Sequence, residues 1–275
     1  MWRDKMLLAI SFAVFAAYVG NTMIVPVRVL YAEKEGASLT VISAMATAFL
    51  VSNFLFQYPM GWIADRWGRK RLMLIGLIAQ ATISLLYLAL ADPFAFVGLR
   101  FLEGIASATM LSPARAMIAD IILPEKRGEA YGVFNSFFNA SWVLGPGIGS
   151  LLASWSYESV FVAAFVTRLI ACGLVFFVLF EPSHVLRDAS IPRRKLSARD
   201  LFTLPLVGAY VLVLSDYMYI GFDQTLFPLW MQDHLGATVA LIGLTYITWG
   251  LPPTLLSTFG GKLADRIRRS TLILA

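Results

Sequence analysis

Charge-free runs longer than a bilayer is thick recur along this chain, and they constrain its fold more than anything else in the sequence. Met6–Val27, Gly36–Ala64, Leu72–Ala91 and Ala130–Ser156 contain no Asp, Glu, Lys or Arg. Crossing the hydrocarbon core takes about 20 mostly apolar residues, and only helices and closed barrels can do so with every backbone group paired. Pro93–Ala119 is equally long and carries Arg100, Glu103 and Arg115. Val160–Phe180 carries Arg168, and Leu201–Met231 carries Asp216 and Asp223. Leu235–Gly261 is again charge-free, and Thr271–Ala275 begins a further apolar run. The reading is an all-α polytopic membrane protein with eight spans and the start of a ninth.

Composition agrees. Of 275 residues 59% are hydrophobic and only 14% charged, where soluble domains carry roughly a quarter charged residues. That excludes a soluble enzyme and a disordered chain. The net charge of +5 points to nucleic acid only if the basic residues form a patch, and they do not. With the N-terminus inside, Arg3, Lys5, Arg66, Arg69, Lys70, Arg71, Lys126, Arg127, the cluster Arg187–Arg199, Lys262, Arg266, Arg268 and Arg269 all fall in inside segments. Only Arg28 and Lys34 fall outside. This is the asymmetry of a multi-pass cell-membrane protein with a cytoplasmic N-terminus. A single cysteine, Cys172, supports neither a disulfide framework nor a multi-cysteine metal site. No phosphate-binding loop of the Gly-x-x-x-x-Gly-Lys type is present, so nucleotide is not expected as a partner.

The chain repeats itself without gaps at an offset of 200 residues. Gly36-Ala37-Ser38 returns as Gly236-Ala237-Thr238, Ile42 as Ile242, Gly61–Arg66 as Gly261–Arg266 around Ala-Asp-Arg, and Arg69 as Arg269. A parallel repeat of six spans is one layout of secondary transporters. It divides the chain into a six-helix bundle over 1–181, an inside linker over 182–200 and an incomplete second bundle over 201–275. A finished second copy would give roughly 380–400 residues in two six-span halves, so the chain reads as about two-thirds of a transporter.

Gly61-Trp62-Ile63-Ala64-Asp65-Arg66-Trp67-Gly68-Arg69-Lys70 resembles the signature loop of the major facilitator superfamily, and Gly261, Asp265, Arg266 and Arg269 are its second copy. The resemblance implies that both copies act as cytoplasmic latches, Asp65 against a helix of the second half and Asp265 against the helix start near Gly128–Gly132. Arg100 and Gly104 resemble the family's Arg-x-x-x-Gly motif, associated with proton transfer. Asp120–Pro124, Arg127, Gly128 and Gly132 resemble its connection from helix four to helix five. Ser141–Gly149, with Gly145, Pro146 and Gly149 at its centre, resembles the fifth-helix motif of drug:proton antiporters and departs from it at Ser141 and Ser150. The implied fold is a complete N-terminal bundle plus the first helices of the C-terminal one. The implied activity is proton-coupled efflux of small apolar or cationic compounds by alternating access. An importer of a sugar or other metabolite on the same fold, and a chain without transport of its own, remain alternatives.

Charges inside a membrane are costly and mark function. Arg100 and Glu103 share a helix face and either form a structural pair or tune proton uptake. Asp216 and Asp223 lie two turns apart and are proton-coupling candidates, Asp223 also an attractor of cations. Arg168 has no partner within its own span; it is expected either to face the substrate cavity or to pair across helices with Asp216 or Glu103. Asn21, Trp142, Tyr217 and Phe222 are expected around a substrate cavity. No metal and no cofactor are expected; the expected partners are a small-molecule substrate, protons and the bilayer.

Overall fold

The computed structural model describes residues 2–90, 92–181 and 204–267. Among them the chain is helical: α1 Trp2–Lys34, α2 Leu39–Trp67, α3 Arg69–Ala89, α4 Pro93–Ile121, a short 3-10 turn Pro124–Lys126, α5 Arg127–Ala153, α6 Tyr157–Val178, α7 Leu204–Asp223, α8 Leu226–Leu235 and α9 Val239–Arg266. Six of them, α1 to α4, α6 and α9, are long and apolar enough to span a membrane.

The helix ends follow from local chemistry. Ser38, Ser156 and Thr238 each accept a backbone N–H three residues on, from Val41, Ser159 and Leu241. Asp92 accepts the N–H of Phe94, two residues on, ahead of Pro93. These are N-caps of the expected type, with proline at the first helical position. The two copies of the Gly-Ala-Ser/Thr repeat are therefore one device used twice: a left-handed glycine (Gly36, φ 89°; Gly236, φ 60°) followed by a hydroxyl cap. Gly68, with φ 99°, joins α2 to α3 directly, a conformation that L side chains rarely adopt.

The seventh apolar run differs from its reading as one span. It is two helices, α7 and α8, separated at Gln224 and Thr225. Pro228 has no N–H to bond the carbonyl of Gln224, which disfavours an unbroken helix. The break is supplied with other partners: Tyr246 Oη donates to the carbonyl of Asp223 at 2.9 Å, and Thr225 Oγ1 to that of Gly221 at 2.6 Å. Non-helical backbone at membrane depth is tolerated when protein groups satisfy it in this way.

α1 packs on α5 and α6, α2 on α4, α3 on α4 and α6, and α5 on α9. The interior is layered. One apolar cluster gathers Met6, Ile10, Met73, Leu77, Met117, Phe134 and Val175. The other gathers Ile24, Tyr31, Tyr87, Phe96, Trp142, Phe161 and Tyr246. On α3, α5 and α6 a polar residue separates the two stretches, Gln80, Ser141 and Arg168, and on α4 the boundary falls at Ser107, one turn after Glu103. The buried polar groups thus form a level of their own across the bundle.

Candidate functional site

Glu103 lies at that level and is 1% exposed. Its Oε2 accepts from Arg100 Nη1 at 2.8 Å. Its Oε1 accepts from Arg28 Nη2 and from Arg168 Nη2, each at 3.4 Å. Three guanidinium groups from α1, α4 and α6 therefore surround one carboxylate, and none is more than 4% exposed. Arg168 Nη1 also donates to the carbonyl of Gln80 at 3.1 Å and to Ser84 Oγ, and its Nη2 reaches Asn21 Oδ1 at 3.5 Å. Arg100 lies over the Phe49 ring at 4.1 Å and donates to Gln224 Oε1 at 3.3 Å. Through Gln224 the cluster touches the break between α7 and α8.

Arg28 corrects the sequence reading, which left it among the outside residues. α1 continues past it to Lys34, so its side chain turns back into the bundle and Glu103 pairs it. Of the two partners considered for Arg168, Glu103 is the one it meets. Asp223 is partly buried at the end of α7, and among the described residues it forms no ion pair. The side chain of Asp216, the whole of Arg269 and the linker over 182–200 lie outside the described residues.

The other expected cavity residues lie around the break. Tyr217 Oη donates to Asn53 Oδ1 at 3.4 Å and accepts from Gln57 Nε2 at 3.1 Å, tying α7 to α2. Trp142 packs on Tyr246 and edge-on against Trp249, which stacks with Tyr219. Phe222 is exposed. Gly145 and Gly149 admit α1: a Cβ on either would collide with Thr22 Oγ1 or with the Met23 backbone, and Pro146 lies between them. Thr22 Oγ1 bridges this seam by donating to the Ser141 carbonyl at 2.7 Å.

At the basic end two carboxylates cap helices. Asp265 accepts from the backbone N–H of Gly128 and of Glu129, at 2.8 Å each. These are unpaired donors of the first turn of α5, where negative charge is favoured. Lys262 pairs with Glu129 at 3.3 Å beside them, and Arg266 is exposed. In the first copy Arg69 bridges Asp65 at 3.5 Å and Asp120 at 2.6 Å. Arg66 lies on the Trp62 ring, and Lys70 Nζ donates to the Phe176 carbonyl at 2.7 Å. Gly61 has open space around it, whereas Gly261 lies against the Gly128 carbonyl.

Glu181 was not foreseen. It accepts from the N–H of Arg69 at 2.6 Å and of Lys70 at 2.9 Å, capping α3. Its only sequence signal is a lone acid at the end of an apolar run. Glu181→Gln is expected to cost about 1 kcal/mol, as loss of a charged cap does. The check is hydrogen exchange, with the Arg69 and Lys70 amides exchanging faster while amides of α6 are unchanged.

Long apolar helices, a buried charge cluster and a broken helix touching it define a polytopic membrane protein that holds charge inside its bundle. The family model of the Major Facilitator Superfamily matches residues 10–275, and the chain belongs to that superfamily. It is 26% identical over 231 residues to Multidrug resistance protein 1 of Bacillus subtilis (strain 168), covering 84% of this chain and 59% of that protein. It is 26% identical over 238 residues to Quinolone resistance protein NorA of Staphylococcus aureus (strain MSSA476), again covering 84% of this chain and 59% of the relative. The chain therefore spans about three-fifths of the length of these relatives. A crystal structure of the human organic anion transporter MFSD10 (TETRAN) superposes with a TM-score of 0.71 at 19% identity, covering 99% of this chain and 74% of the other. A D-xylose-proton symporter superposes with a TM-score of 0.64 at 15% identity, covering 97% and 69%. Both show the shared fold.

Proposed function

We propose that this protein exports small organic compounds by secondary active transport, alternating access to a site at the level of Glu103 and driving export with protons. The observation that carries the reading is the buried cluster of Glu103 with Arg28, Arg100 and Arg168, which contacts the second half through Gln224. A charge centre held by both halves must be remade when they rock. Relatives named for multidrug and quinolone resistance support export rather than import.

The two acidic residues play different parts. Protonating Glu103 means giving up three charged partners. Protonating Asp223 breaks no ion pair among the described residues, so Asp223 is assigned as the proton carrier and Glu103 as the group that holds the arginines together. The exposed rings of Tyr219 and Trp249, backed by buried Trp142 and Tyr246, suit flat apolar compounds. Asp65 and Asp265 are assigned as cytoplasmic latches, with the N-terminus on the same side.

Asp223→Asn is expected to lower proton-driven transport at least about tenfold, a loss of about 1.4 kcal/mol in the barrier. The measurement is uptake of a quinolone into everted vesicles energised by respiration. Counterflow of the same compound without a proton gradient should persist. Full proton-driven uptake in the variant would rule out Asp223 as carrier, and sugar counterflow in its place would turn the reading to import.

A further inference from the structure

Among the described residues, three guanidinium groups against one carboxylate leave two positive charges unbalanced. Among the described residues, Glu103 is the only carboxylate that pairs with Arg28, Arg100 or Arg168. An unbalanced charge in a low-dielectric interior is expensive unless a counter-charge or further hydrogen bonds take it up. The donors here are not used up. Nε of Arg28 and Nε of Arg168 are buried without a hydrogen-bond partner, and so is the hydroxyl of Tyr87. Tyr87 is 1% exposed and within electrostatic reach of Glu103 and all three arginines.

We infer that Arg28, Arg100 and Arg168 form a subsite for the carboxylate of an organic anion, which displaces Glu103 from part of their donor set. Guanidinium forks match a planar carboxylate with two parallel hydrogen bonds. Glu103 takes one nitrogen from each arginine, from Arg100 at 2.8 Å but from Arg28 and Arg168 at 3.4 Å, and the unbonded Nε of Arg28 and of Arg168 remain to complete a fork. An anion that takes both terminal nitrogens of Arg100 displaces Gln224, which ties its occupancy to the break between α7 and α8. This rests on the reading of the chain as a transporter and replaces the cationic substrate, whose attractor would be Asp223, by an anionic one.

The test is direct binding by the purified full chain in detergent at low salt, with unfolding followed by circular dichroism. The probes are 2-naphthoate, 2-naphthylmethanol and 2-naphthylmethylammonium, which share a body and differ in charge. Naphthoate is expected to raise the unfolding midpoint by several degrees, and the other two to leave it unchanged. Arg28→Gln should weaken naphthoate binding about tenfold. Glu103→Gln, which removes the competing carboxylate, should tighten it about tenfold; if that variant does not fold, the comparison of parent with Arg28→Gln decides. Equal shifts from all three probes, a shift from the ammonium alone, or undiminished naphthoate binding in Arg28→Gln would overturn the assignment. Chloride at matched ionic strength separates the sources. If it alone gives the full shift and blocks naphthoate, the arginines hold a fixed inorganic counter-ion and the organic-anion subsite is rejected. Binding is read without transport, so naphthoate binding with no vesicle uptake would reject the export reading and leave the anion subsite standing.

Discussion

Glu103→Gln is expected to destabilise the protein by about 3–5 kcal/mol, the cost of removing one partner from a buried ion pair. The substitution keeps the shape of the side chain and removes only its charge, so packing does not contribute. What it leaves is three guanidinium groups within hydrogen-bond reach of a neutral amide, each no more than 4% exposed. Arg28→Gln, although it breaks an ion pair of the same cluster, lowers the unbalanced charge and should cost much less. The unequal cost is the point of the comparison, because a cluster held by geometry alone would lose similar amounts from either change. The measurement is the unfolding midpoint of each variant in lipid nanodiscs at low salt. A smaller loss in Glu103→Gln than in Arg28→Gln would mean that the arginines are neutralised by something other than Glu103.

The cluster also shows what the sequence makes legible and what it hides. Arg100 and Glu103 are three apart on one helix, and their pairing follows from helical periodicity. Arg28 and Arg168 are distant in the chain, and no local rule brings them to the same carboxylate. Arg28 is obscured for a further reason: it ends a charge-free run, and by composition the end of an apolar run reads as the end of a span. α1 in fact runs on to Lys34. The helix ends were better marked, because Ser38, Asp92, Ser156 and Thr238 cap through their immediate neighbours. The break after Asp223 was harder, since Pro26 and Pro228 occupy similar places in the repeat but only the second lies beside an interruption. Whether a helix breaks beside a proline depends on what receives the carbonyls at the break: Thr225 takes that of Gly221 locally, but Tyr246 reaches that of Asp223 from α9, and that is tertiary information. Glu181 and Gln224 belong to the same class: each acts on a helix far from it in sequence.

The repeat gives the sharpest contrast between pattern and packing, and it sets up opposite outcomes at two equivalent glycines. Gly61→Ala is expected to change nothing, because a Cβ there meets no atom within 4 Å. Gly261→Ala adds the same methyl group directly against the Gly128 carbonyl, where α9 crosses α5. The crossing has no slack to absorb it. A Cβ on Gly128 would lie 2.5 Å from the Gly261 carbonyl oxygen, and one on Gly132 2.6 Å from that of Ser257. These are backbone atoms, so one helix must move, at a typical overpacking cost of about 1–3 kcal/mol. The displaced segment carries Asp265 away from the Gly128 and Glu129 amides and strains the bond between Ser136 Oγ and Thr258 Oγ1, which are 2.9 Å apart. The readout follows from that last pair. With Cys172 replaced by serine, Ser136→Cys with Thr258→Cys is expected to form a disulfide on mild oxidation. Adding Gly61→Ala should leave its yield unchanged, and adding Gly261→Ala, or the larger Gly132→Leu, should reduce it severalfold. Equal yields in all of these backgrounds would mean that α9 is not held against α5 by this glycine contact, and the assignment of Asp265 as a latch on α5 would lose its structural support.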